Sequence, residues 1–155
     1  MPDSAAPNAK VLFRVPKEDG SDDVETLWAT HVGGDHFKLD NSPFYAYGVS
    51  WEDVVSAPFD AKEQFPTFER VVSKSGNRTV RVLFRTPVEA GNEPDRLLQG
   101  LVAMGCSYEG ANRRFISLNV PSGVELNVIR DYLIAHDVTW EHADPTYEAL
   151  FPEDA

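Results

Sequence analysis

The four histidines and the single cysteine are the residues on which chemistry would draw first. His31 and His36 flank Gly33-Gly34, with Asp35 beside them, so a hairpin there would present two imidazoles on neighbouring strands. A zinc site needs three or four ligands at fixed geometry. No Cys-x-x-Cys or His-Glu-x-x-His spacing supplies the others, so the reading is that no metal is bound. His136 and His142 stand near Asp137, Glu141 and Asp144, where carboxylates favour the charged imidazolium. A helix-end histidine facing the dipole and an exposed strand histidine account for both without a special role. Cys106 follows the glycine expected to end a helix, which is the wrong end to stabilise a thiolate, and reads as structural.

No Gly-x-Ser-x-Gly elbow, Walker-type glycine loop or Gly-x-Gly-x-x-Gly is present, so the sequence offers no catalytic residue and no cofactor site. What remains is charge and aromatics. The 155 residues hold 25 acids against 14 bases, a net charge of −11. Phosphate is repelled by such a chain, which argues against nucleic acid, whereas a basic protein is attracted. After Arg130 there is no Lys or Arg, yet seven acids follow, interleaved with Tyr132, Trp140, Tyr147 and Phe151. Acids that steer and aromatics that anchor make Asp131, Asp137, Trp140, Glu141, Asp144, Tyr147 and Glu148 the candidate surface for a basic partner. The plainer reading of the same run is a solvated helix face and an acidic tail. A second candidate is a pocket where two halves of the chain meet, lined by Trp28, His36, Tyr45, Tyr47 and Trp51. Crowding of Phe44, Tyr45, Tyr47 and Trp51 is equally what a packed core corner requires.

The elements that must position these residues divide the chain. Residues 1–9 and 152–155 read as flexible ends. Residues 10–77 read as β-rich. Lys10 to Pro16 is a strand, and Val24 to Val32 alternates with the period of two that a half-buried strand shows. Gly33-Gly34 supplies a tight turn, and His36 to Leu39 returns. Phe44 to Tyr47 is a possible short strand, Ser50 to Asp53 a helical turn, and Thr67 to Ser73 a further strand. Short strands of this kind build a small antiparallel, partly barrel-like sheet. Residues 78–151 read as β-α-β-β-α-β, a ferredoxin-like half. Its first helix opens at Asn92 or Glu93 with Pro94 and carries Leu97, Leu98, Leu101 and Val102; Gly105 ends it. A capping box from Ser122 to Glu125 opens the second, and Asp144-Pro145 caps a last helical turn. The fold class is therefore α+β.

Four segments resemble a bacterial family of uncharacterised proteins, domain of unknown function 4265. They are Val24 to Ala29, Leu39 to Phe44 with its Asn41-Ser42-Pro43-Phe44 core, Asp53-Val54-Val55, and Ser75 to Arg81. The resemblance covers roughly residues 10–143 and implies a bacterial cytoplasmic setting, with no reaction to carry over. The C-terminal half also resembles, in fold alone, regulators that bind and inhibit a ribonuclease. One cysteine, no leader-like segment and no run of ~18 apolar residues fit a soluble cytoplasmic chain that makes no use of a membrane. The expected function is an acidic binding protein, such as an immunity or inhibitor protein against a toxin or nuclease. The alternatives are a small ligand sensor or enzyme with an inter-half pocket, and a non-catalytic subunit of a homo-oligomer.

Overall fold

In a computed structural model the described residues are 7–154. The expected flexible N-terminus lies outside them up to residue 6. Five strands form one antiparallel sheet: β1 (Ala9–Pro16), β2 (Asp22–Gly33), β3 (His36–Leu39), β4 (Val54–Ser56) and β7 (Arg70–Ser73), in the order β1-β2-β3-β4-β7. Between the last two lies a two-stranded ribbon, β5 (Phe59–Asp60) and β6 (Phe65–Pro66). Alternation in β2 puts Glu25, Leu27 and Ala29 inside and Val24, Thr26 and Trp28 outside. Val11, Phe13, Leu27, Phe37, Leu39 and Val55 form the core on this face.

No closed barrel forms. The edges β1 and β7 share no ladder, and a single parallel bridge, Leu12 to Thr67, links β1 to the segment before β7. Phe44 to Tyr47 is not a strand. The N–H groups of Phe44, Tyr45 and Ala46 point at the Glu25 carboxylate instead of a neighbouring strand. Trp51 and Glu52 make a turn and no helix, with Glu52 in the left-handed region at φ 70°.

The remaining chain is β8 (Arg78–Leu83), α1 (Glu93–Ala103), β9 (Ser107–Gly110), β10 (Phe115–Val120), α2 (Leu126–Ala135) and β11 (Thr139–Asp144). Its strands form an antiparallel sheet in the order β11-β8-β10-β9. Asn92 caps α1 as expected, its Oδ1 accepting from Asp95 N–H at 3.0 Å. Leu97, Leu98 and Leu101 enter the core, whereas Val102 is left exposed. The capping box does not form: Glu125 is itself the N-cap residue of α2 and its side chain makes no capping bond. Leu98, Leu101, Ile116, Leu118, Ile129 and Leu133 fill a second core between the helices and the sheet. The helices approach closely where Tyr132 Oη donates to Leu97 O at 3.0 Å, beside Gly100. A Cβ at Gly100 would clash with the Tyr132 hydroxyl oxygen. The chain closes with α3 (Tyr147–Leu150) and a 3₁₀ turn, Pro152–Asp154. The cap of α3 is Thr146, whose hydroxyl accepts from Ala149 N–H at 3.2 Å; Asp144 is drawn inward. The architecture is thus mixed α/β, with mostly antiparallel sheets and three α-helices among the described residues.

The two cores are separate, and a polar seam along residues 40–53 joins them. In β8, Val80 and Val82 face the helices, so Arg81 faces the other way and is 2% exposed. Its guanidinium donates to the carbonyls of Pro43, Tyr45 and Ala46 at 3.3, 3.3 and 2.7 Å. Glu25 takes the N–H groups of Phe44, Tyr45 and Ala46 at 2.6, 3.1 and 2.9 Å. An acid from one sheet and a base from the other thus satisfy the same irregular backbone, as buried polar groups must be. Glu109 in β9 holds Asn41 and Ser42, and Ser117 Oγ donates to Pro43 O at 2.7 Å. At the far end Lys74 Nζ lies 2.6 Å from Asp53 and 2.5 Å from Asp144, while Ser50 Oγ donates to Asp144 at 2.6 Å.

Candidate partner-binding groove

β11 is an edge strand, and α3, the end of α2 and Tyr47 flank it. The result is a groove of about 970 Å³. α2 contributes Arg130, Asp131 and Ile134; β11 contributes Trp140, Glu141 and His142; α3 and its cap contribute Thr146, Tyr147 and Glu148. Phe151 and Tyr47 complete the wall. Three carboxylates and one guanidinium thus line the groove, and Arg130 is already 3.5 Å from Asp131. Trp140 packs on the helical core, and the rings of Tyr147 and Phe151 lie 4.9 Å apart.

Of the expected partner surface, Asp131, Trp140, Glu141, Tyr147 and Glu148 come together here. Two residues lie elsewhere. Asp137, with φ 51°, lines a smaller cavity of about 500 Å³ between the end of β8 and the start of α1. Asp144 is 7% exposed and salt-bridged to Lys74, so it belongs to the seam. Glu141 serves both places. Its carboxylate accepts from Tyr47 Oη at 2.9 and 3.0 Å and pairs with Arg81 Nε at 3.3 Å. The Arg81 guanidinium in turn lies 4.6 Å over the Tyr47 ring. Burial, and then the Glu141 carboxylate, push the Tyr47 hydroxyl pKa up.

The expected inter-half pocket is not gathered. Of its five residues Tyr47 alone lines the groove. Trp28 lies on the outer face of β2 under Lys10 Nζ, 4.6 Å from the ring centre, and Trp51 Nε1 reaches Asp40 at 3.5 Å. Tyr45 rests on Phe115, and His36 pairs with Ser56 across the sheet. Polar seam residues bridge the halves through contacts such as those of Arg81 with Pro43, Ser50 with Asp144 and Lys74 with Asp53.

His142 is the groove residue that the sequence reading undervalued. It is 7% exposed where an exposed strand position was expected, because it shares the helix-facing side of β11 with Trp140. Its Nδ1 has no hydrogen-bond partner among the described residues. Burial, reinforced by Arg130, lowers its pKa from the ordinary 6.5, opposite to the shift expected from neighbouring carboxylates. The only sequence signal for this was its two-residue spacing from Trp140. His136 sits at the end of α2 as expected, its Nδ1 2.7 Å from Tyr132 O. His31 is used by its own turn, with Nε2 2.7 Å from Gly34 O. Among the described residues no group of three His, Cys, Asp or Glu side chains is placed to hold a metal ion. Cys106 is buried in the helical core, and its thiol is pushed up to about 11 by that burial.

Fold and groove define a mixed α/β scaffold with a polar seam and one acidic, aromatic-lined edge. The family model described as domain of unknown function (DUF4265) matches residues 25–143, and the chain belongs to that family. The match spans the clamped 40–53 segment and its partners Glu25, Arg81 and Glu109. No curated protein matches the chain. Among solved structures, it is similar to a hypothetical protein from Neisseria gonorrhoeae, at 14% identity and a TM-score of 0.70. That similarity covers 93% of this chain and 99% of the other, and it shows the fold alone. Among the described residues no helix is long and apolar enough to cross a membrane.

Proposed function

We propose that this protein is an acidic binding protein that captures a basic polypeptide partner at the β11 groove. Its most concrete form is an immunity or inhibitor protein that covers the basic active site of a toxin or nuclease in the cytoplasm. The observation that carries this reading is the convergence of Asp131, Glu141 and Glu148 with Trp140, Tyr147 and Phe151 on one concave edge. Acids steer an oppositely charged partner and set its orientation, while aromatic anchors hold it. The net charge of −11 extends that attraction beyond the groove and disfavours nucleic acid. The buried polar residues support a non-catalytic role, since the hydrogen bonds of Glu25, Asp53, Arg81 and Asp144 are spent on holding backbone and one another. The ferredoxin-like reading of the C-terminal half belongs with this proposal, since the sheet order β11-β8-β10-β9 exposes β11 at an edge.

Co-purification of the tagged chain from its native lysate tests the proposal, with Asp131→Lys/Glu148→Lys run in parallel. Both positions are exposed and outside the seam, so the variant is expected to keep the fold. A basic protein held by the wild type at low salt, and lost both at high salt and in the variant, is the expected result. Equal capture by wild type and variant would move the interface away from this groove.

A further inference from the structure

We propose that the groove takes an arginine side chain of the basic partner, whose guanidinium donates to His142 Nδ1 and stacks on the surrounding aromatic rings. This rests on the reading of the groove as a site for a basic polypeptide. His142 supplies an observation independent of the acidic surface: it lines the groove, is 7% exposed, and leaves Nδ1 without a partner among the described residues. A buried polar atom without a partner costs stability, and such a cost is tolerated where a ligand completes the bond. Burial and Arg130 hold the imidazole neutral, so one ring nitrogen keeps a lone pair. In the tautomer that carries its proton on Nε2, Nδ1 is an acceptor and the complementary group is an N–H donor.

Charge narrows the donor to a cation, because Asp131, Glu141 and Glu148 line the groove with His142, Arg130 pairs with Asp131 and Arg81 with Glu141, and Glu148 adds a further acid. Shape narrows it further. Trp140 meets His142 edge-on with centroids 4.9 Å apart, and Phe151 lies 6.5 Å from it, so the anchor sits among flat rings. A guanidinium is planar, weakly hydrated and able to stack while donating in its own plane; an ammonium does neither as well. The molecule already uses this arrangement beside the groove, where Arg81 lies over Tyr47 while pairing with Glu141. Nδ1 is shielded from solvent, so its engagement also requires side chains around the groove to rearrange.

The test is a titration of ¹⁵N-labelled protein with hexa-arginine and, separately, hexa-lysine, following backbone amides and the His142 ring nitrogens. The expected result is that both peptides move the Asp131 and Glu148 amides. Hexa-arginine alone moves the Nδ1 resonance and binds about tenfold tighter, the effect of one charge-assisted hydrogen bond. His142→Phe abolishes that preference and keeps hexa-lysine binding. Equal affinities with a silent Nδ1 would overturn the arginine assignment and leave the groove as a basic-partner site. Silence of the groove amides with both peptides would overturn the two readings together. The Nδ1 readout is taken on the wild-type chain, so it stands even if the variant folds poorly.

Discussion

His142 stands edge-on to Trp140, with ring planes at 82° and centroids 4.9 Å apart. This packing keeps the imidazole out of water, and the folded chain accordingly lowers its pKa from 6.5 through burial and then Arg130. Above 6.5 both folded and unfolded chains hold it neutral. Between 6.5 and the lower folded value the unfolded state binds the extra proton, so stability falls as pH drops through that window. Replacing His142 by phenylalanine removes this fall and the unpartnered nitrogen, and is expected to raise stability by about 1 kcal/mol at neutral pH. Urea denaturation at a series of pH values from 7.5 down to 5 reads both effects; a parallel pH dependence in the two proteins would refute the first.

The clamp formed by Arg81 and Glu25 predicts a large loss on truncation. Arg81→Met leaves three carbonyls without their donor and the Glu25 and Glu141 carboxylates without their buried cation. The expected cost is about 3 kcal/mol, the low end for breaking a buried charged network. Arg81→Lys recovers little of it, since one ammonium cannot span the fork. Thermal melts of both variants measure this, and hydrogen exchange at Tyr45 and Ala46 is expected to accelerate with them.

Lys74 holds Asp53 and Asp144 together across the seam. Because its own side chain is 45% exposed, screening lowers the cost of Lys74→Met below that of a fully buried pair, to about 2 kcal/mol. Asp144→Asn should make a second Lys74 substitution less costly than it is alone, a coupling that a double-mutant cycle resolves.

Cys106, with its thiol at about 11 in an apolar core, should not react with a disulfide reagent in the native protein at neutral pH. It should react at once in urea. Rapid native labelling would mean that the helical core opens far more often than its packing implies.

Local patterns carried much of this fold in the sequence. Period two gave β2, Gly33-Gly34 gave the turn, and Asn92 with Pro94 gave the start of α1. What the sequence hid depends on partners far along the chain. Glu25 is buried because three N–H groups some twenty residues away converge on it. Asp144 leaves the surface because Lys74, seventy positions away, draws it in. The expected Ser122 capping box lost to a later start of α2, a competition between local caps that spacing alone does not decide. Charge and aromatic interleaving did mark Asp131, Trp140, Glu141, Tyr147 and Glu148, which meet in the groove. Of the residues expected at the inter-half pocket, Tyr47 reaches the groove while Tyr45 and Trp51 make other contacts, because sequence proximity says nothing of which way an irregular segment turns them.

Calorimetric titration of hexa-arginine into the wild type and into Asp131→Lys/Glu148→Lys, at low and at high salt, tests the groove most directly. The account predicts measurable binding to the wild type that weakens steeply with salt, and about tenfold weaker binding to the doubly reversed variant. Affinity unchanged by the reversal would contradict the assignment of this groove as the site of basic-partner capture.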